Sequence, residues 1–261
     1  MILNRYSSLQ NPQVRKWRSL LDAKGRAEQR LFLAEGDHLA GEALSAGAAR
    51  MLLVDEKEQE RYSAHMRRAE MEGIDCALLS DHVMCALSDA KTPQGILAVC
   101  PLPDVRRPVP QGLYRLAALN ALQDPGNVGT MLRTLDAAGF DGLLVDMRTA
   151  DPYGPKALRA SMGAVFRIPV FAGDLVRMLT GIASTHDLYA GALDGTSYFD
   201  RTREKPGVCV IIGNEGAGIS PQIYAVPGVK KVTLPMAGGA ESLNASVAGA
   251  VMIYDIVRCG E

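Results

Sequence analysis

Short apolar runs alternate with segments of helical period along nearly the whole of this 261-residue chain. Such alternation restricts the fold to α/β layering, because strands bury their faces under the helices that connect them. Candidate strands lie at 30–34, 51–54, 75–79 and 96–99, and again at 116–119, 143–146, 188–192, 208–212 and 231–234. Helical patterns fall at 37–46, 57–72, 128–138, 175–183 and 243–258. Runs as continuous as VCVII (208–212) imply parallel strands covered on both faces. In the last helix Leu243, Val247, Val251 and Tyr254 recur at helical spacing, and Ser242 is placed to cap it.

The alternation is interrupted once. PLPDVRRPVP (101–110) has four prolines in ten residues, which suits neither a helix interior nor a central strand. The expected organisation is therefore a first domain over 1–100, a linker over 101–112 and a second domain over 113–261. Charge is uneven as well. The whole chain carries a formal net charge of -1, yet residues 1–30 hold seven basic side chains against Asp22 and Glu28, a local net of +5. That segment is either a solvated helix face or a phosphate-contacting arm, with Arg15, Lys16 and Arg18 its densest cluster. Tyr6 and Trp17 lie inside it and could stack on bases, although a single tryptophan on a helix more simply packs into the core.

Other classes are set aside by what the chain lacks. No run of about 18 apolar residues exists, so no membrane span is expected. The first residues, MILNRYSSLQNPQVRKW, contain no apolar stretch of signal-peptide length, which sets the expectation of a cytoplasmic protein. Five scattered cysteines without a CxxC pair, and four dispersed histidines, predict neither disulfides nor a metal site.

Three segments of the second domain are unusual. DPGNVGTMLRT (124–134) follows a strand and opens a helix, with Asn127 placed to cap it and Arg133 on its second turn. Taken alone, a capped helix with a solvent arginine accounts for it. IIGNEGAGIS (211–220) carries a buried strand into a GxxGxG cluster, which is neither the dinucleotide fingerprint GxGxxG nor a phosphate loop. Glu215 inside it opposes an anionic ligand. LPMAGGAESLNASVAGA (234–250) passes from a strand through Gly238 and Gly239 into the last helix. Two glycine-bearing loops after neighbouring strands suggest one pocket at the carboxyl edge of a sheet.

In this order the three segments resemble the motifs of the SpoU/TrmH RNA ribose methyltransferases, of the SPOUT superfamily. DPYGPKALRASMGAVFRIP (151–169) is similar to that family's intermotif region. FLAEGDHLAGEAL (32–44) and KTPQGILAV (91–99) resemble its ribosomal-protein-like RNA-binding domain. The resemblance implies a small N-terminal α/β RNA-binding domain and a C-terminal α/β domain whose parallel sheet ends in a deep trefoil knot. It also implies a homodimer through the knotted domain and S-adenosylmethionine as cofactor.

By the same resemblance, Gly213, Asn214, Gly216, Ile219, Leu234, Met236, Ser242 and Leu243 bind the cofactor. Asn127, Arg133, Glu215, Ser242 and Asn244 form the catalytic set, with Glu215 organising its loop or pairing with Arg133. The reaction implied is methyl transfer to a ribose 2′-oxygen of RNA, large-subunit ribosomal RNA before transfer RNA. A guanidinium stays protonated in proteins, so Arg133 is expected to bind phosphate and stabilise the alkoxide rather than act as a base. Two other classes are a non-catalytic RNA-binding or ribosome-assembly protein, opposed by the intact motif set, and a nucleotide-dependent oxidoreductase, opposed by the missing GxGxxG.

Overall fold

The computed structural model describes residues 4–260. The chain divides into two compact units. One runs to Pro103 and takes in Tyr153–Arg167; the other comprises Asp104–Pro152 and the chain from Ile168 onward.

The first unit is built from β1 (Asn4–Tyr6), α1 (Pro12–Ser19), α2 (Ala23–Gln29), β2 (Leu31–Glu35), α3 (Asp37–Ser45), β3 (Met51–Asp55), α4 (Ser63–Met71), β4 (Asp75–Leu79), α5 (Asp81–Leu87) and β5 (Ile96–Pro101). Its five strands lie in the order β1-β4-β3-β5-β2. The first three are mutually parallel, and β5 runs antiparallel to both of its neighbours. Val14, Trp17 and Leu20 come one helical turn apart and pack against Leu33, Leu53, Ala77 and Leu79. Trp17 is buried with its ring edge-on to Tyr6 at 4.9 Å, so it is a core residue and not a stacking platform. That packing turns Arg15, Lys16 and Arg18 to solvent.

The second unit begins with β6 (Arg115–Leu119), α6 (Pro125–Ala137) and β7 (Gly142–Val145). The chain then makes the excursion Tyr153–Arg167, containing α7 (Pro155–Ser161), which packs within the first unit. Phe32 meets Tyr153 at 5.3 Å and Phe166 at 6.0 Å. Arg159 reaches Asp89 at 2.6 Å and Glu35 at 3.5 Å, and Arg167 pairs with Glu42. The expected partition at 1–100 and 113–261 leaves this excursion with the second domain. The observed grouping gives it to the first because its aromatic and ionic partners lie there.

The second unit continues with β8 (Val170–Ala172), α8 (Leu175–Ile182), β9 (His186–Ser197), β10 (Gly207–Ile212), α9 (Pro221–Tyr224), β11 (Val229–Thr233) and α10 (Ala245–Arg258). Its six strands are all parallel, in the order β11-β9-β10-β6-β7-β8. One face of the sheet packs on Leu175, Leu179 and Ile223. α10 lies against both α6 and β10. A Cβ on Gly249 of α10 would come within 2.6 Å of the Met131 sulfur, so a side chain there would displace the Met131 thioether that packs between α10 and α6.

Three expectations are corrected. The helix expected over 57–72 is a short turn at Glu56–Glu58 followed by α4. Asp55 caps that turn through Lys57 N, and the Tyr62 hydroxyl, donating to Gln94 O at 2.6 Å, fixes the chain where α4 starts. Asp124, not Asn127, caps α6 by accepting from Gly126 N at 2.7 Å. Asn244, not Ser242, caps α10 by accepting from the amides of Ser246 and Val247. Val247, Val251 and Tyr254 lie at helical spacing as expected, and they form the exposed face of α10, with relative exposures of 48%, 38% and 49%. Its buried face is Gly249, Met252, Ile253 and Ile256. Periodicity locates an apolar stripe without saying what covers it.

Candidate active site

In an all-parallel sheet every strand delivers its following loop to the same edge. Here the loops after β10 and β11 meet at the carboxyl edge and enclose a cavity of about 700 Å³. One wall is the glycine loop 213–219 and a second is the segment 234–245. The third is Gly191–Asp194 within β9, which the strand periodicity does not reveal. Pairing of β11 with β9 jumps from Lys231↔Ala190 to Val232↔Thr196, so the intervening part of β9 bulges toward the cavity. The Lys231 ammonium holds Asp194 at 3.1 Å and sits 4.6 Å above the Tyr224 ring.

The glycine loop is shaped by its own backbone. A Cβ on Gly213 would fall 2.4 Å from the Gly218 carbonyl carbon, so only glycine fits. Asn214 and Gly218 exchange both backbone hydrogen bonds, at 2.9 and 3.0 Å. The Asn214 side chain closes the loop, accepting from Gly216 N and Ala217 N through Oδ1 and donating through Nδ2 to Ala121 O.

Behind the cavity lies a polar cluster drawn from three loops. Asn127 Nδ2 donates to Glu215 Oε1 at 2.9 Å, while Asn127 Oδ1 accepts from Asn244 Nδ2 at 3.2 Å. The Ser246 hydroxyl stands 3.1 Å from Asn127 Oδ1 and 2.7 Å from Asn244 Oδ1. Glu215 also accepts from the backbone amides of Gln123 and Asp124, both at 3.3 Å. Burial pushes the Glu215 carboxyl up, but these donors outweigh it and hold it below the ordinary carboxylate range. Glu215 is thus an anion fixed between α6 and the glycine loop.

The eight residues expected to bind cofactor all line the cavity, together with Glu215 and Asn244. Asn127 lies just behind, bonded to both of those. Arg133 is not brought to the cluster. It is exposed on α6, about 120° around the helix from Asn127. It makes no hydrogen bond or ion pair among the described residues, so the expected alternative of a Glu215–Arg133 pair is not formed. Arg15 and Lys16 border a shallow cleft of the first unit with Ser19, Glu28, Gln29 and Leu31; Arg18 is exposed on the same helix. The sequence reading missed Asn120, Ala121 and Asp146. The available signal was a polar residue directly after an apolar strand, as in LAALN and GLLVD.

The lining constrains the ligand. It contains three carboxylates, Asp194, Glu215 and Glu241, and no Lys, Arg or His. Such a cavity favours a cation and rejects a phosphate. Its small residues and its size suit a nucleoside-sized organic cation.

Residues 115–254 match the SpoU rRNA Methylase family, and residues 11–98 match an MRM3-like substrate binding domain. The chain is 34% identical over 256 residues to a 23S rRNA (guanosine(2553)-2'-O)-methyltransferase of Bacillus subtilis, covering 97% of this chain and 99% of that one. A crystal structure of an AdoMet-bound rRNA methyltransferase from Sinorhizobium meliloti superposes with a TM-score of 0.83 at 29% identity, covering 98% of each chain. The SpoU methyltransferase AviRb of Streptomyces viridochromogenes, also solved with AdoMet, gives 0.84 at 27% identity over 96% of this chain and 98% of that one.

Proposed function

Because the chain belongs to the SpoU rRNA Methylase family, we propose that it methylates a ribose 2′-hydroxyl of large-subunit ribosomal RNA, using S-adenosylmethionine. The observation that carries this reading is the cavity at the carboxyl edge, walled by two glycine loops and lined by carboxylates without a basic residue. The cofactor is a sulfonium cation without phosphate, and it fits that lining; a phosphate-bearing nicotinamide dinucleotide does not.

When bound, S-adenosylmethionine supplies an electrophilic methyl group. Gly213, Leu234 and Leu243 are assigned to hold it through their backbones. Asn214, Gly216, Ile219, Met236 and Ser242 shape the surrounding walls. The chain's task is alignment and charge control, since in-line displacement loses rate steeply with misplacement. Asn127 is fixed by Glu215 and Asn244, so its orientation is set before substrate arrives. A carboxylate already accepting three hydrogen bonds and held below its ordinary range is a poor proton acceptor, so Glu215 is assigned to loop organisation. Arg133, exposed and unengaged, is assigned to the RNA phosphate and to the developing alkoxide.

The first unit, residues 1–100 with the excursion Tyr153–Arg167, is assigned to RNA recognition, with Arg15, Lys16 and Arg18 as phosphate contacts; 101–112 is assigned as the connection, and the rest of 113–261 as the catalytic domain. The trefoil knot is assigned to the loops after β10 and β11; in support, the chain leaves the edge strand β11 and returns as α10 to pack on α6 and β10. The exposed stripe of α10 supports a homodimer through this domain. No helix among the described residues is long and apolar enough to cross a membrane, and we place the enzyme in the cytoplasm, with its substrate.

The test is transfer of labelled methyl from S-adenosylmethionine to unmodified ribosomal RNA, large-subunit particles and transfer RNA, followed by nuclease mapping. One 2′-O-methyl site in the large-subunit RNA is expected. A site in transfer RNA replaces the substrate but keeps the chemistry. Cofactor-independent RNA binding with no transfer to any of the three overturns the reading in favour of a non-catalytic RNA-binding protein.

A further inference from the structure

Three non-glycine residues hold a positive φ among the described residues. Two of them, Arg30 and Met162, are left-handed caps that end α2 and α7. Ala121, at φ +56, ends no helix; it lies between β6 and α6. A left-handed alanine is strained by its Cβ and persists only where its surroundings hold it.

Ala121 is held from both sides. Its N–H donates to Asp146 Oδ1 at 3.0 Å, and its carbonyl accepts from Asn214 Nδ2 at 2.9 Å. Asp146 follows β7 and is itself anchored. Its carboxylate accepts from Thr149 N, Thr149 Oγ1, Arg148 N and Asn120 Nδ2, and its side chain is 11% exposed. Asn214, at the other end, folds the cavity's glycine loop through the Gly216 and Ala217 amides.

We propose that Asp146 is a positioning residue for the cofactor cavity: by holding Ala121 left-handed it aims the Ala121 carbonyl at Asn214 and so fixes the glycine-loop wall. The chain of contacts runs from β7, through a strained residue after β6, to the loop after β10, and touches no reacting atom. The inference rests on the reading of this cavity as the S-adenosylmethionine site.

The experiment uses the full chain and two readouts, calorimetric binding of S-adenosylmethionine and hydrogen exchange at the Gly216 and Ala217 amides. Asp146→Asn is expected to weaken binding about tenfold and to speed exchange at those amides. Adding Ala121→Gly to Asp146→Asn is expected to recover most of that loss, because glycine stays left-handed without being held. A merely structural role for Asp146 predicts no such rescue. Ala121→Val, with Asp146 intact, should reproduce the loss, since a β-branched residue resists this conformation, and it decides the matter if Asp146→Asn does not fold. Wild-type affinity and exchange in either Asp146→Asn or Ala121→Val overturns the proposal, as does a double variant no better than Asp146→Asn. A wild-type protein that does not bind S-adenosylmethionine overturns the reading of the cavity instead, and the exchange rates then judge the Asp146 contact by themselves.

Discussion

The Asn127 side-chain amide donates to Glu215 Oε1 at 2.9 Å, joining the helix after β6 to the loop after β10 across 88 residues of sequence. The bond is polar, half-buried and directional, so its two partners cannot be exchanged for groups of similar size. Asn127→Asp places a second carboxyl against Glu215. Like charges at this distance force one of the two to remain protonated. The variant is expected to melt below the wild type at neutral pH and to regain stability as pH falls through the raised carboxyl pKa. Equal melting-temperature differences at pH 5 and pH 8 would contradict the repulsion.

Glu215 itself has a pH signature. Its folded pKa lies below the ordinary 4.5, so its stabilising contribution is present above that value and is lost as pH falls through the folded pKa. Glu215→Gln removes the contribution at all pH values. The wild type should therefore lead the variant by a constant margin above about pH 5 and lose that lead in more acid solution. Denaturant melts across this range check it; a margin that grows with acid refutes it.

Arg133→Ala is expected to lower kcat at least tenfold while leaving S-adenosylmethionine affinity unchanged, because the side chain does not line the cavity. Arg133→Lys keeps charge but loses the planar fork, and it should recover only part of the rate. Single-turnover kinetics with separate binding measurements make the distinction. A wild-type rate in Arg133→Ala contradicts the assignment.

Replacing Arg15, Lys16 and Arg18 by alanine should flatten the dependence of RNA affinity on salt. Each lost phosphate contact removes roughly 0.7–0.9 from the logarithmic slope, so the triple variant should lose about 2. The stability of the fold should hardly change, since all three are exposed. An unchanged slope rejects α1 as an electrostatic contact.

Tyr254→Arg on the exposed face of α10 should convert the proposed dimer into a folded monomer, read as a halved mass in light scattering. Burying like charges at a two-fold interface repeats the penalty on both copies. A wild-type mass with the substitution in place would move the interface elsewhere.

What the sequence made legible followed from local rules. Strand 75–79 and the end of β10 at Ile212 fell where apolar runs end, and the glycine loops fell where glycines cluster. The three motifs converge because parallel strands share one edge. Other features depend on partners distant in sequence. The bulge in β9 arises from its pairing with β11. The α10 stripe has the right period whether it faces a core or a second protein. Asn127 and Ser242 were legible as polar residues at helix starts, but Asp124 and Asn244 had better placed oxygens for the first free amides. Asp146 reads as the last residue of a strand until its contact with Ala121 is seen.

The excursion Tyr153–Arg167 also bears on how the protein is made. A ribosome delivers the chain from its N-terminus, and domains that are continuous in sequence close one after another. The first unit is not continuous. Its Phe32 surface and the Glu42 carboxylate acquire their aromatic and ionic partners only once Tyr153, Phe166 and Arg167 have been synthesised. By then β6, α6 and β7 have already emerged. The unit assigned to RNA recognition is therefore completed during synthesis of the catalytic one, and a nascent chain ending in the proline segment would expose an aromatic surface that the finished protein covers.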